Sequence, residues 1–243
     1  MLGRMGKIYR NGGAGAVAWR GFSAAYKKGL RPLLPRTTPI RYAGLFIGHR
    51  KLGDAIAPYL FCPPPFCDIP DYEDALIQGL NRHVRIGDRV TVIGGGFGVT
   101  CAVAARLSKS KVLCYEGDLA GVRGTQKTAE LNGVEVETIH AIVGSNIGVF
   151  GNKHATTVVA PSELPECDVL ELDCEGAEVQ ILSEMKIKPR AVVVETHGVF
   201  GAPTDKVHAI LESRGYRVEN LGWAESYQED ACRKDGVEVL VRS

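Results

Sequence analysis

The chain has 243 residues, 45% hydrophobic and 23% charged, with a net charge of +1; this excludes a disordered or fibrous chain and suits one α/β domain with an appendage. The neutral total hides a division: residues 1 to 53 carry eleven of the 29 basic residues and no acidic one, so the other 18 face all 28 acidic residues. Seven cysteines, an odd number in a chain able to fold without staples, argue for reduced thiols; with no apolar run long enough to span a membrane and no signal core, a cytoplasmic location is expected.

Residues 1 to 35 read as a basic segment with helical stretches, Val17 to Lys28 foremost, interrupted by Gly29, Pro32 and Pro35. Such a segment is either a solvated or loosely docked extension or a contact with an anionic membrane surface or nucleic acid, for which it carries the right charge but no motif. Residues 36 to 70 hold short apolar runs, Tyr42 to Ile47 and Ile56 to Phe61, then a proline cluster ending at Pro70. That cluster divides an N-terminal extension and linker, 1–70, from a main domain, 71–243. Cys62 and Cys67 bracket Pro-Pro-Pro-Phe more loosely than a zinc knuckle, with no second ligand pair nearby, so no metal is expected there.

From Asp71, as cap, a helix is expected with Tyr72, Ala75, Leu76, Leu80 and Val84 at helical spacing. Val90-Thr-Val-Ile93 is the first strand of the main sheet, and it runs into Gly94-Gly-Gly-Phe-Gly98 and a helix from Val99 to Leu107. Lys111 to Glu116 is the second strand, followed by a helix from Leu119 to Leu131 that stops at Asn132-Gly133. Val134 to Val143 is the third strand, and residues 144 to 166 a loop carrying a short strand. Asp168 to Asp173 is the fourth, Gly176 to Met185 a helix, and the apolar run Ala191 to Glu195 a fifth strand buried on both faces. A helix from Asp205 to Arg214 and strands over Tyr216 to Leu221 and Val237 to Val241 complete the set. Strands alternating with helices predict an α/β fold: a doubly wound, mainly parallel seven-stranded sheet with a basic N-terminal appendage.

The glycines at 94, 95, 96 and 98 strip Cβ atoms from a bend that lets backbone approach a ligand. The sixth place of the dinucleotide fingerprint, counted from Gly94, is Val99, which argues against a nicotinamide-dependent oxidoreductase while leaving it a competing reading. Glu116, twenty-two residues beyond Gly94 at the end of the second strand, suits two ribose hydroxyls, its alternative being a solvated loop carboxylate. Strand, loop, helix, strand and acid together point to an adenosine cofactor held by Gly94, Gly95, Gly96, Phe97, Gly98 and Glu116, with Ala141 and Asp173 as further contacts. The winding reverses between the first and fourth strands, which predicts that the loop meets Asp173, Cys174 and Glu175.

The run Leu170-Glu-Leu-Asp-Cys-Glu-Gly-Ala-Glu-Val-Gln-Ile-Leu182 resembles the fourth-strand signature of the FkbM-type S-adenosylmethionine-dependent methyltransferases, with further matches at Gly87-Asp88, Tyr115-Glu116 and Val194-Glu-Thr-His197. The resemblance covers about residues 70 to 243. It implies a Rossmann-like fold, S-adenosylmethionine as cofactor, and methylation of a hydroxyl on a sugar, glycan or related small molecule. Two positions depart from the pattern: Val92 stands where an acidic residue is common, and Phe97 where a small or aliphatic one is usual.

Asp173, Glu175, Glu195 and His197, at the ends of adjacent strands, are the candidate catalytic bases and positioners, His197 being of a type that accepts a proton near neutrality. Bland roles compete: helix capping for Asp173 and Glu175, a buried acceptor for Glu195, an ordinary loop histidine for His197. A divalent ion on Asp173, Glu195 and His197 is chemically allowed, but no spacing demands it and no metal is expected. A nucleic-acid acceptor is not expected, because the Asp173-Cys-Glu-Gly turn lacks the Asn/Asp-Pro-Pro-aromatic pattern that handles a flipped base. A catalytically silent cofactor-binding module at a membrane surface remains the alternative from another class.

Overall fold

The computed structural model describes residue 22 and residues 25–51, 68–144 and 157–242. Cys62, Cys67, the run Ile56 to Phe61, most of the expected helix from Val17 and residues 145–156 of the expected loop lie outside them. Two compact units are distinguished, Met1–Ile40 with His49–Asp68, and Arg41–Gly48 with Ile69–Ser243. In the smaller unit the described residues form one π-helical turn, Tyr26–Leu30, and a 3-10 turn, Arg31–Leu33, before the chain extends. No helix among the described residues is long and apolar enough to cross a membrane.

A hairpin that the sequence reading did not resolve, β1 (Arg36–Tyr42) and β2 (Leu45–Lys51), turns at Ala43 and Gly44, both at positive φ. Its tip belongs to the larger unit, where the Asn132 side chain donates to the Phe46 carbonyl at 2.7 Å and accepts from its N–H at 3.2 Å.

The central sheet has the seven strands expected: β3 (Val90–Ile93), β4 (Val112–Glu116), β5 (Val136–His140), β8 (Val169–Leu172), β9 (Ala191–Glu195), β10 (Val218–Trp223) and β11 (Glu238–Arg242). Their order is β10-β11-β9-β8-β3-β4-β5. The five from β5 to β9 are parallel, and β11 runs antiparallel to both its neighbours. The winding reverses at the β3–β8 pair, so the chain ends leaving these strands must meet, as the sequence predicts.

Helices α1 (Asp74–His83), α2 (Val99–Ser108), α3 (Leu119–Asn132), α4 (Glu178–Glu184) and α5 (Thr204–Ser213) fall within a few residues of their predicted places. Gly133, at φ +63°, ends α3 as its sequence signal requires. The core lies on both sheet faces: Leu76, Leu80, Val92, Cys101 and Val193 pack on one side, Leu170, Leu172, Ile181, Leu182 and Leu211 on the other. Gly79 of α1 rides directly on Val193 and Val241, where an added Cβ would come within 2.7 Å of a valine methyl. The five described cysteines are free thiols.

Three expectations are corrected. Asp71 does not cap α1; the helix starts at Asp74, after Glu73 in the left-handed region at φ +49°, because the chain turns through residues 70–73 first. The predicted third strand breaks at Ala141, whose N–H reaches the Glu116 carbonyl at 3.1 Å and the Ile139 carbonyl at 3.0 Å. Beyond it β6 (Ile142–Val143) leaves the sheet and pairs in parallel with β7 (Val158–Val159). A sixth helix, α6 (Glu229–Asp235), sits between the last two strands where none was expected; Trp223 lies under Arg233, 5.0 Å from the ring centroid.

Val92, in the position where an acid is common, is fully buried in the core and pairs across the sheet with Glu171, also fully buried, whose carboxylate oxygens have no hydrogen-bond partner among the described residues. Burial, then the charges of Asp173 and Glu73, hold the Glu171 carboxyl well above the ordinary carboxylate range. The folded state therefore keeps a proton that the unfolded chain releases. This group's contribution to stability is complete below the ordinary carboxylate pKa and declines as pH rises toward the raised one. Glu171→Gln should gain on the natural chain as pH rises above the ordinary carboxylate pKa, by up to about 1.4 kcal/mol per pH unit. Urea denaturation at each pH checks this, and parallel stability curves for the two proteins would contradict it.

Candidate functional site

A cavity of about 470 Å³ opens where β3, β4 and β8 end. Its walls include Gly94, Gly96 and Phe97 of the glycine loop, Glu116, Ala141 with Ile142 and Val143, and Asp173 with Glu175. This volume falls within the usual range for small-molecule sites.

The glycines divide by role. Gly94 and Gly96, at φ +101° and +49°, face the cavity. Gly95 and Gly98 are instead packing glycines against α3: a Cβ on the first would lie 2.6 Å from the Thr125 hydroxyl oxygen, and on the second 2.5 Å from the Thr125 Cα. The loop is thus pressed onto α3 and leaves bare backbone toward the cavity.

Glu116 is nine-tenths buried, not a solvated loop carboxylate. Its Oε2 accepts from the Gly96 N–H at 2.8 Å and its Oε1 from the Asp118 N–H at 2.7 Å, so it ties the two loops together while lining the cavity. Gly121 leaves room for it, since a Cβ there would fall 2.5 Å from the Glu116 carboxyl carbon. Asp118, which caps α3 by accepting from the Ala120 N–H at 2.7 Å, lines the same wall. The sequence signal for it was an acid directly before a helix.

A second cavity, about 360 Å³, adjoins the first: Tyr72, Glu73, Asp173 and Glu175 line both. Glu195, His197 and Phe200 form one side of it, and Glu225, Gln228 and Cys232, around and within α6, another. The structure therefore brings together all four candidate catalytic residues.

His197 is held firmly. Its backbone exchanges hydrogen bonds with Ala202 at 2.9 and 3.1 Å, and its Nδ1 lies 2.7 Å from Glu178 Oε1. Its Nε2 faces Asp173 Oδ1 and Glu195 Oε1, each at 3.4 Å, and Glu175 Oε2 at 3.9 Å. Burial opposes charge on this ring, but the contacts with Glu178 and Glu195 and the charge of Asp173 outweigh it and push the pKa up to about 11. A pKa this high holds the ring toward the imidazolium form at neutral pH, in which neither nitrogen can accept a proton. The carboxyls move upward, chiefly by burial: Asp173 to about 6, Glu175 to about 7 and Glu195 to about 8, with His197 pulling each back. Asp173 and Glu175 do not cap the next helix, since α4 starts at Glu178 without a side-chain cap.

Sequence reasoning missed Tyr42, Tyr72, Glu73, Glu178 and Glu225. Tyr72 and Phe97 border the first cavity, and Tyr42 packs behind them, stacked on Tyr72 at 4.6 Å and meeting Phe97 edge-on at 5.5 Å. Glu73, in its left-handed backbone, is drawn to Glu225 through its N–H at 3.4 Å, and burial and then Asp173 raise its carboxyl well above the usual range. Only Glu178 carried a signal, within the Glu-Gly-Ala-Glu run.

Residues 103–218 match the methyltransferase FkbM domain, which bears out the resemblance carried by the strand-end motifs. A stretch of 56 residues is 41% identical to the ribosomal protein L11 methyltransferase of Oceanobacillus iheyensis, over 23% of this chain and 18% of that protein. The chain thus matches less than a fifth of this curated relative. The structure of precorrin-6y C5,15-methyltransferase from Geobacter metallireducens is similar at a TM-score of 0.50 and 12% identity, over 74% of this chain and 92% of that one. A 16S rRNA methyltransferase, RsmC, from T. thermophilus, in complex with AdoMet and guanosine, is similar at 0.50 and 20% identity, over 86% and 50%. At these identities the two structures share the fold with this chain.

Proposed function

We propose, from the match of residues 103–218 to the methyltransferase FkbM domain, that this chain binds S-adenosylmethionine in the first cavity and methylates a hydroxyl of a sugar, glycan or related small molecule in the second. The cofactor fits what the first cavity offers: backbone at Gly94 and Gly96, the Glu116 carboxylate for ribose hydroxyls, and the Phe97 side chain. Bound there, it supplies an electrophilic methyl on sulfur that an acceptor oxygen displaces in line.

The observation that carries the acceptor class is the lining of the second cavity. Glu73, Asp173, Glu175, Glu195, Glu225 and Asp235 converge there, and no Lys or Arg is among its described lining residues. Such a wall offers carboxyl groups to hydroxyls and no lysine or arginine to a phosphate chain. Asp173, shared by both cavities and with a pKa near 6, is ionised at neutral pH and takes the acceptor's proton. Holding the two reactants in adjoining cavities supplies the alignment on which a displacement of this kind depends. The free thiols support a reducing compartment, the cytoplasm.

Calorimetric titration with S-adenosylmethionine should show one saturable site. Glu116→Gln, which weakens a charged acceptor facing the ribose, should lower the affinity about 10- to 100-fold. Absence of binding by the natural chain refutes the cofactor assignment. Incubation with methyl-labelled cofactor and a fractionated extract should yield an O-methylated small molecule or glycan by mass spectrometry; label on RNA or on a protein amine would refute the acceptor class.

A further inference from the structure

We propose that Asp173, Glu175, Glu195 and His197 hold a divalent metal ion on the wall shared by the two cavities. The ion's role at the acceptor hydroxyl rests on the methyl-transfer reading above; the ion site rests on the residues themselves. One ligand atom from each of Asp173, Glu175 and His197 lies within 4.8 Å of the others, and Glu195 Oε1 stands 3.4 Å from the same His197 Nε2. Modest side-chain shifts bring such a set to metal–ligand distances of about 2.0 to 2.2 Å.

Two observations separate this cluster from an ordinary acidic patch. Glu195 is only 9% exposed, it lines the second cavity, and its Oε2 has no hydrogen-bond partner among the described residues. A buried carboxylate oxygen without a donor is costly, and a cation drawn to the Glu195 carboxylate offsets that cost. Second, the ring of His197 is locked from behind. Nδ1 lies 2.7 Å from Glu178 Oε1, which also accepts from the Cys174 N–H at 3.3 Å, and Glu178 is fully buried. A carboxylate behind the imidazole fixes its orientation and leaves Nε2 as the ligand atom, the usual arrangement of a metal-binding histidine; the ion displaces the proton that Nε2 carries in the metal-free protein and releases it to solvent.

Three carboxylates with one imidazole make a hard, mostly oxygen donor set, suited to Mn²⁺ and, less closely, to Mg²⁺ or Zn²⁺. An ion bound there faces the acceptor cavity and can take an acceptor oxygen as a further ligand, which favours loss of its proton to the free oxygen of a neighbouring carboxylate.

The test is calorimetric titration of the EDTA-stripped, full-length chain with MnCl₂, MgCl₂ and ZnCl₂, without cofactor. One saturable ion per chain is expected for at least one of them, with affinity reduced at least 10-fold in His197→Ala and about 10- to 100-fold in Glu178→Gln. Glu175→Gln, at a partly exposed position, is the variant to use if the buried ones fail to fold, and it too should weaken binding. No saturable binding up to millimolar ion, or binding unchanged in all the folded variants, overturns the proposal. Titrating the same stripped sample with S-adenosylmethionine keeps the two readings apart: cofactor binding without ion binding defeats the metal site alone, and the reverse defeats the cofactor assignment alone.

Discussion

Gly94→Ala is expected to cost the fold about 3 to 5 kcal/mol and to abolish cofactor binding. The residue sits at φ +101°, where an L side chain is strained, and a Cβ built there overlaps the Asp173 carbonyl oxygen. That neighbour is backbone, and it cannot move aside: the Asp173 N–H is tied to the Ile93 carbonyl at 2.9 Å, and the Gly94 N–H to the Tyr115 carbonyl at 2.9 Å. Backbone strain of about 1 to 3 kcal/mol and overpacking of a similar size add at this point. The clash lies at the β3–β8 reversal, so whatever relaxes it also moves Asp173 and the cradle. Gly87→Ala, at φ +89° but with open space around it, controls for strain alone. Equal losses of stability in the two variants, measured by urea denaturation, would remove the steric argument.

Asp173→Asn should lower methyl transfer by about 10²- to 10⁴-fold while the protein stays folded. The amide keeps the shape of the side chain and its place on both cavity walls, but it neither accepts a proton nor balances His197 at 3.4 Å. The loss should appear in kcat with the acceptor identified by labelling, and cofactor affinity should change much less. An unaltered kcat, or a defect confined to cofactor affinity, would assign Asp173 to cofactor binding instead of chemistry. The metal titration repeated on this variant separates loss of an ion from loss of a base.

The glycine loop, Glu116 and the Asp173 turn were legible in the chain because each answers a local demand. A backbone cradle needs residues without Cβ atoms, a strand end offers a carboxylate to a ribose, and alternating periods of strand and helix imply the crossover that joins them. The His197 environment was not legible. Nothing local marks Glu178 as its partner nineteen residues away, and the carboxylates that make the ring an acid instead of a base converge from the ends of β8 and β9 and from the turn before α4. Tyr42 and Glu225 were invisible for the same reason: one arrives on a hairpin and the other beside α6, two elements whose short, mixed patterns give no strong period.

The sequence alone therefore determined the seven-stranded sheet, its point of reversal and the glycine loop that meets the first cavity, since these follow from periodicity and from which positions lack a Cβ. Tertiary structure decided everything that depends on charge: Val92 lies in the core beside a buried Glu171, and six carboxyl groups line one cavity together with His197. Electrostatic energy depends on distance and burial, and in this chain those are set by contacts between residues far apart in the sequence.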